Sequence, residues 1–272
     1  GELTEGARAE ALGVIRRALK VFERAAGKGC LTEATGVEWP ALLARCGRPV
    51  DALAAARDAC EALPDCAAVW SQRLQLEGQR VAIDDPEDAW EVDQLFEVAL
   101  KRVPIDEAPG LWSQALEFHA ASGLPCFHLA PLVARMLAVR VEDKGIALGI
   151  AQRMLELMWF VEGPGTGRDA YNAWLPLPGA GAPLHLAVAD LEQSLGDVGS
   201  PGAVRKVLED GVARHSDSPE LWLALYRLEV GRAGEAVESA AAAGRVHWRA
   251  MKALEGEALV AFSVGAQEVL KS

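Results

Sequence analysis

Five stretches of this 272-residue chain carry one pattern: VWSQRLQLE at 69–77, LWSQALEFH at 111–119, LHLAVADLE at 184–192, LWLALYRLE at 221–229 and HWRAMKALE at 247–255. Aligned on their second position, they bring Trp70, Trp112, His185, Trp222 and Trp248 into register. Six residues on stand Leu76, Phe118, Leu191, Leu228 and Leu254; seven on stand Glu77, His119, Glu192, Glu229 and Glu255. Offsets of three or four and of seven return to one side of an α-helix, so the Trp, a middle apolar residue and the acid share the face turned to a partner helix. A carboxylate on that face is costly unless paired. Trp39 opens a weaker copy, and the repeating unit is in the mid-thirties of residues, the size of a helical hairpin that buries its faces only by stacking on its neighbours.

The rest of the chain agrees. The 49 Ala and 35 Leu favour helix, whereas β-preferring residues such as Thr and Tyr are scarce. Residues 10–26 place Leu12, Ile15, Leu19, Phe22 and Ala26 on one helical face. Pro49, Pro64, Pro104, Pro109, Pro125, Pro201 and Pro219 fall between apolar segments, where they start or stop helices without breaking one. Further helices are expected near 35–47, 50–63, 67–80, 87–103, 109–122, 128–142, 145–162, 184–196, 201–214, 219–231, 234–243 and 246–269. The fold class this predicts is all-α, a superhelical solenoid of antiparallel helix pairs. It runs as a single array over 1–272, a fragment of a longer protein because it opens at Gly1 without Met, and a flexible Gly/Pro-rich loop at 163–183 interrupts it.

Charge and motifs narrow the function. Lys and Arg number 27 against 39 Asp and Glu, a formal net charge of −12 that repels phosphate unless a local patch overrides it. No apolar run is long enough for a membrane span, so no membrane is expected. Cys30, Cys46, Cys60, Cys66 and Cys126 are odd in number, irregular in spacing and without a C-x-x-C pair, which reads as reduced, mostly buried thiols of a cytosolic or nuclear protein. The five histidines, at 119, 128, 185, 215 and 247, show no metal-ligand spacing, and no hydrolase, nucleotide-binding or calcium motif is present. The glycine-rich GPGTG at 163–167 lacks the lysine of a phosphate loop. No catalytic site, metal, cofactor or small-molecule substrate is expected.

The frame W-x-x-x-x-x-φ-E, followed by a second helix ending near a proline, resembles the half-a-tetratricopeptide (HAT) repeat, and VFERA at 21–25 resembles the second-helix signature of such a repeat. The resemblance implies an assembly that processes RNA. RVHWRAMKALEGEALVAF at 245–262 resembles, more narrowly, the C-terminus of the U3 small nucleolar RNA-associated protein 6 family. That likeness implies a nucleolar scaffold of the small-subunit processome, supporting pre-rRNA processing through protein contacts inside a large ribonucleoprotein, with RNA association indirect. The alternative is a HAT scaffold of pre-mRNA splicing or 3′-end cleavage, homodimeric through the array. His185 in place of Trp, His119 in place of Glu, and the lack of an Arg on helix 87–103 to answer Glu77 depart from the HAT pattern.

Four features could meet a partner. Arg16, Lys20 and Arg24, with Arg17 beside them, make a basic stripe that suits phosphate or an acidic partner, or is only a solvated face. Tyr171 and Trp174, in the middle of the 163–183 loop, either fold back onto the array or anchor a partner. The acidic DDPEDAWEVDQLFE at 84–97 reads as a capped helix start, and second as a docking face for a basic partner. Arg245, His247, Arg249 and Lys252 surround Trp248, a mixture that suits single-stranded RNA, but the repeat frame assigns Trp248 to the core.

Overall fold

Proline sets many of the helix starts in the computed structural model, which describes residues 5–80, 86–139, 144–195, 201–232 and 237–271. The α-helices among them are α1 (Glu5–Gly27), α2 (Glu33–Arg45), α3 (Pro49–Ala62), α4 (Ala67–Arg80), α5 (Pro86–Arg102), α6 (Pro109–Ser122) and α7 (Ala130–Ala138). They continue with α8 (Lys144–Leu157), α9 (Pro164–Trp174), α10 (Ala182–Ser194), α11 (Pro201–Arg214), α12 (Pro219–Arg232), α13 (Val237–Ala253) and α14 (Gly256–Val269). Six of these helices begin on a proline, whose fixed φ suits the first turn and whose missing N–H is no loss there. At α2 the start is made by Thr32, whose hydroxyl accepts from the Thr35 backbone N–H while Thr35 answers the Thr32 backbone. A 3₁₀ turn (Phe127–Leu129) precedes α7, and a π-helical turn (Met158–Glu162) ends α8 at Gly163, whose φ of 96° suits only glycine.

The chain divides into two compact units, 1–132 and 133–272, with the boundary inside α7. In the first, α2 packs on α3 and α4 on α5, and α4 also touches both α2 and α6. In the second, α10 packs on α11 and α12 on α13, while α10 touches α8 and α12, and α12 touches α14. Each first helix of a pair therefore meets its own partner and the next first helix, the stacking of a helical repeat. The architecture is all-α, built of stacked helix pairs. Gln114 Nε2 donates to Ser71 Oγ at 2.7 Å, a polar tie between the first helices α4 and α6.

Two expected boundaries fail. The segment 163–183 is not a flexible loop: residues 164–174 form α9, with Tyr171 and Trp174 buried against the rest of the unit. Two of its glycines serve close approach, since a Cβ on Gly167 would lie 2.5 Å from the Trp159 ring and one on Gly179 2.7 Å from the Leu137 carbonyl. The expected break near residue 244 is absent as well. Helix α13 runs through Gly244 to Ala253, and the chain turns at Leu254 and Glu255 before Gly256, whose φ is 55°. The expected helix ends at 140–142, 196 and 234–236 lie outside the described residues.

Candidate functional site: the charged rung of the repeat

The acid expected at the seventh position is buried and paired, but not by the helix that follows it. Glu77 on α4 meets Arg57 of the preceding α3 at 2.9 Å and Arg80 of its own helix at 3.4 Å. Glu192 on α10 accepts a two-pronged contact from Arg168 of α9, at 2.6 and 2.7 Å, which holds the guanidinium charged more firmly than usual. Glu229 on α12 lies 3.1 Å from Arg205 of α11. The rung thus ties each first helix to the second helix of the pair before it, which corrects the expectation of an answering Arg on the helix after Glu77. Each arginine is half exposed, so its charge stays hydrated while the carboxylate is buried.

The Trp position is buried in four copies, Trp70, Trp112, His185 and Trp222. Trp70 Nε1 donates to the Pro64 carbonyl at 2.8 Å, and Trp222 Nε1 to the Ser216 carbonyl at 2.9 Å, so the indole pins the loop six residues upstream. At His185 the role passes to a hydrogen bond between Nδ1 and the Tyr171 hydroxyl, 2.6 Å long. Burial, with His215 and Arg214 nearby, pushes His185 down to about 4, and burial raises the Tyr171 hydroxyl above its ordinary value. At the sixth position Leu76 and Leu191 are buried, but Phe118 and Leu228 are only half-buried.

The fifth copy, 247–255, does not belong to the frame. Trp248 is 60% exposed, Glu255 is exposed beyond the end of α13, and of the three frame positions only Leu254 is buried. These residues lie at the end of a second helix and in the turn after it, so the letters match while the position in the hairpin does not. Lys252 Nζ sits 3.7 Å from the centre of the Trp248 ring, and Arg249 reaches Glu209 of α11 with two contacts, at 3.0 and 2.8 Å.

Other candidates separate cleanly. Arg16, Arg17, Lys20 and Arg24 are all exposed on α1, while Leu19 on the same helix is buried. Tyr171 and Trp174 are buried and cannot act as surface anchors. Of the acidic stretch, residues 84 and 85 lie outside the described residues, and Asp93, within α5, is buried rather than solvated. None of the five cysteines is in a disulfide; Cys60 and Cys126 are buried, Cys66 half-buried, Cys30 and Cys46 exposed, so the thiols are not mostly buried. Burial raises Cys60 to about 11, which keeps it an unreactive thiol.

The residues that sequence reasoning missed are Asp93 and His128. At the rung of α5 and α6 the chemistry is reversed: His119 stands where the other copies have Glu, and the preceding helix offers Asp93 instead of Arg. His119 Nε2 lies 3.0 Å from Asp93 Oδ1, and His128 Nε2 lies 3.2 Å from Asp93 Oδ2. Burial alone would push the Asp93 carboxyl up, but the two imidazoles at its oxygens outweigh it and hold it below the usual carboxylate range. Spacings of 26 and 9 residues match no local ligand motif, so only the packing of α5, α6 and the 3₁₀ turn brings the three together.

A groove of about 430 Å³ runs between the first helices α10 and α12 over α11, with Leu186, Ala189, Leu208 and Leu228 making its apolar part and Asp190 and Arg227 its charged edge. Half-buried Leu228 is accounted for here, because it lines the groove instead of the core. Among the described residues no helix is long and apolar enough to cross a membrane.

No protein-family model matches the chain, and no curated protein matches it. Among solved structures it is similar to the C-terminal part of a TPR repeat-containing protein from Cytophaga hutchinsonii, at 9% identity and a TM-score of 0.39 over 91% of this chain and 94% of that one.

Proposed function

We propose that this chain is a non-catalytic, protein-binding scaffold. The observation that carries the reading is the groove between α10 and α12, an apolar channel edged by Asp190 and Arg227 on an array of repeated helix pairs. Such a channel takes a helical or extended partner segment through apolar anchors, with the charges fixing its direction. The exposed stripe of Arg16, Arg17, Lys20 and Arg24 adds a second contact for an acidic partner. Modest contacts linked by one array give firm retention without a single strong site.

The setting proposed is the small-subunit processome of the nucleolus, where the scaffold supports pre-rRNA processing and holds RNA through its protein partners. Support for that setting is the resemblance of 245–262, a stretch that presents Trp248 and Lys252 at the surface. Affinity purification from nuclear extract, with mass spectrometry of proteins and sequencing of RNA, tests both levels. Processome proteins with pre-rRNA are the expected yield, and splicing or cleavage factors would overturn the setting. Leu228→Arg, which fills the groove with a charge at a half-buried position, is expected to cut partner recovery at least about tenfold, a loss of 1.4 kcal/mol or more, while the chain stays folded.

A further inference from the structure

The geometry points to a divalent transition-metal site, of the zinc class, formed by Asp93, His119 and His128. Three observations carry it. His119 Nδ1 lies 3.2 Å from the Leu124 carbonyl, which can only accept, so Nδ1 carries a proton and Nε2 is the nitrogen turned towards Asp93. That nitrogen faces Asp93 Oδ1 at 3.0 Å in a buried setting, His119 at 0% and Asp93 at 1% exposure, and neither atom makes a well-aligned hydrogen bond. A divalent cation placed between them takes the Nε2 lone pair in place of a proton and answers the charge of the buried carboxylate.

The third observation is the shape of the set. One ligand atom from each residue falls within 4.8 Å of the other two. Bonds of about 2.0–2.1 Å at a tetrahedral ion put ligand atoms roughly 3.3 Å apart, inside the 4.8 Å span that holds the three atoms here. Two imidazoles and one carboxylate are the donors that zinc and its neighbours prefer over calcium or magnesium. The Leu124 carbonyl fixes the His119 ring as an outer partner does in metal sites. His128, 29% exposed, gives an ion its way in. A bound ion would staple α5 to the end of α6 and to the 3₁₀ turn, the task that Arg and Glu perform at the other rungs.

The test is calorimetric titration of the chelator-stripped, reduced full chain with Zn²⁺, compared with His128→Ala and His128→Cys. His128 is the half-buried member, so its removal spares the core, and circular dichroism checks each fold. The parent is expected to take up one more equivalent than His128→Ala, or to bind that equivalent at least about 100-fold more tightly, beyond the 10–100-fold that loss of an outer hydrogen bond costs. His128→Cys, which keeps a ligand, is expected to restore uptake, and Co²⁺ in the parent to show the visible bands of a tetrahedral site. Exposed Cys30 and Cys46 set a background common to all three chains. Equal uptake by the parent and His128→Ala overturns the site.

Discussion

LWLALYRLE at 221–229 and HWRAMKALE at 247–255 share Trp, Leu and Glu at the same three offsets, yet the first Trp is 4% exposed and the second 60%. The difference lies in which helix of the pair each occupies. Residues 221–229 sit on α12, a first helix packed by α10, α11, α13 and α14, so its Trp, Tyr226 and Glu229 all face protein. Residues 247–255 end a second helix, and the chain leaves α13 before the octet is complete. A periodic pattern says that residues share a face; it does not say that the face has a neighbour.

The largest test of this contrast is the paired truncation. Trp222→Ala removes a packed indole and its hydrogen bond to Ser216, with an expected loss of about 3–5 kcal/mol in urea unfolding. Trp248→Ala is expected to change stability by less than about 1 kcal/mol, the scale of an exposed cation–π contact. Equal losses would return 247–255 to the repeat frame.

The acids repeat the contrast on a smaller scale. Arg205→Met leaves the Glu229 carboxylate buried without its guanidinium, an expected loss of about 2–3 kcal/mol, below a fully buried pair because Arg205 is itself half exposed. Glu255→Gln, at an exposed turn, is expected to stay within about 0.5 kcal/mol. In the double variant Arg205→Met with Glu229→Gln, part of the loss should return, because the stranded charge is gone.

At the Trp position the variant copy His185 brings a pH dependence that Trp70, Trp112 and Trp222 cannot. Its folded pKa is pushed down to about 4, below the ordinary value of about 6.5, so the unfolded chain binds more protons between those limits. Its contribution is intact above about pH 6.5 and is lost as pH falls towards 4, by up to about 1.4 kcal/mol for each pH unit. His185→Gln should flatten the stability profile in that window and leave the slope above pH 7 unchanged.

Much of the fold was legible because the signal is local. Prolines at helix starts and the Trp-to-Glu octet are set by residues within one helix, and they located α4, α6, α10 and α12 correctly. Helix α9 was hidden because glycine and proline read as a loop, although Gly167 and Gly179 are there to admit Trp159 and the Leu137 carbonyl. The rung was half legible: the acid announced that it needed a partner, but the partner's helix is a fact of stacking. Asp93 and His128 were not legible at all, since 26 and 9 residues separate them from His119 and nothing local links the three.

The smallest test places the helix boundary that separates the two octets. Gly244 sits in mid-α13 with negative φ and nothing within 4 Å of an added Cβ, whereas Gly256 has φ of 55° and equally open space. Steric room is the same at both, so the backbone alone decides the sign. Gly244→Ala should stabilise by about 0.4–1 kcal/mol, because Ala loses less chain entropy and suits a helix interior. Gly256→Ala should destabilise by about 1 kcal/mol or more, because a Cβ is strained at positive φ. A reversed pair of signs would put the chain break at Gly244 and run 247–255 into a new first helix. Trp248 would then have the neighbour it lacks here.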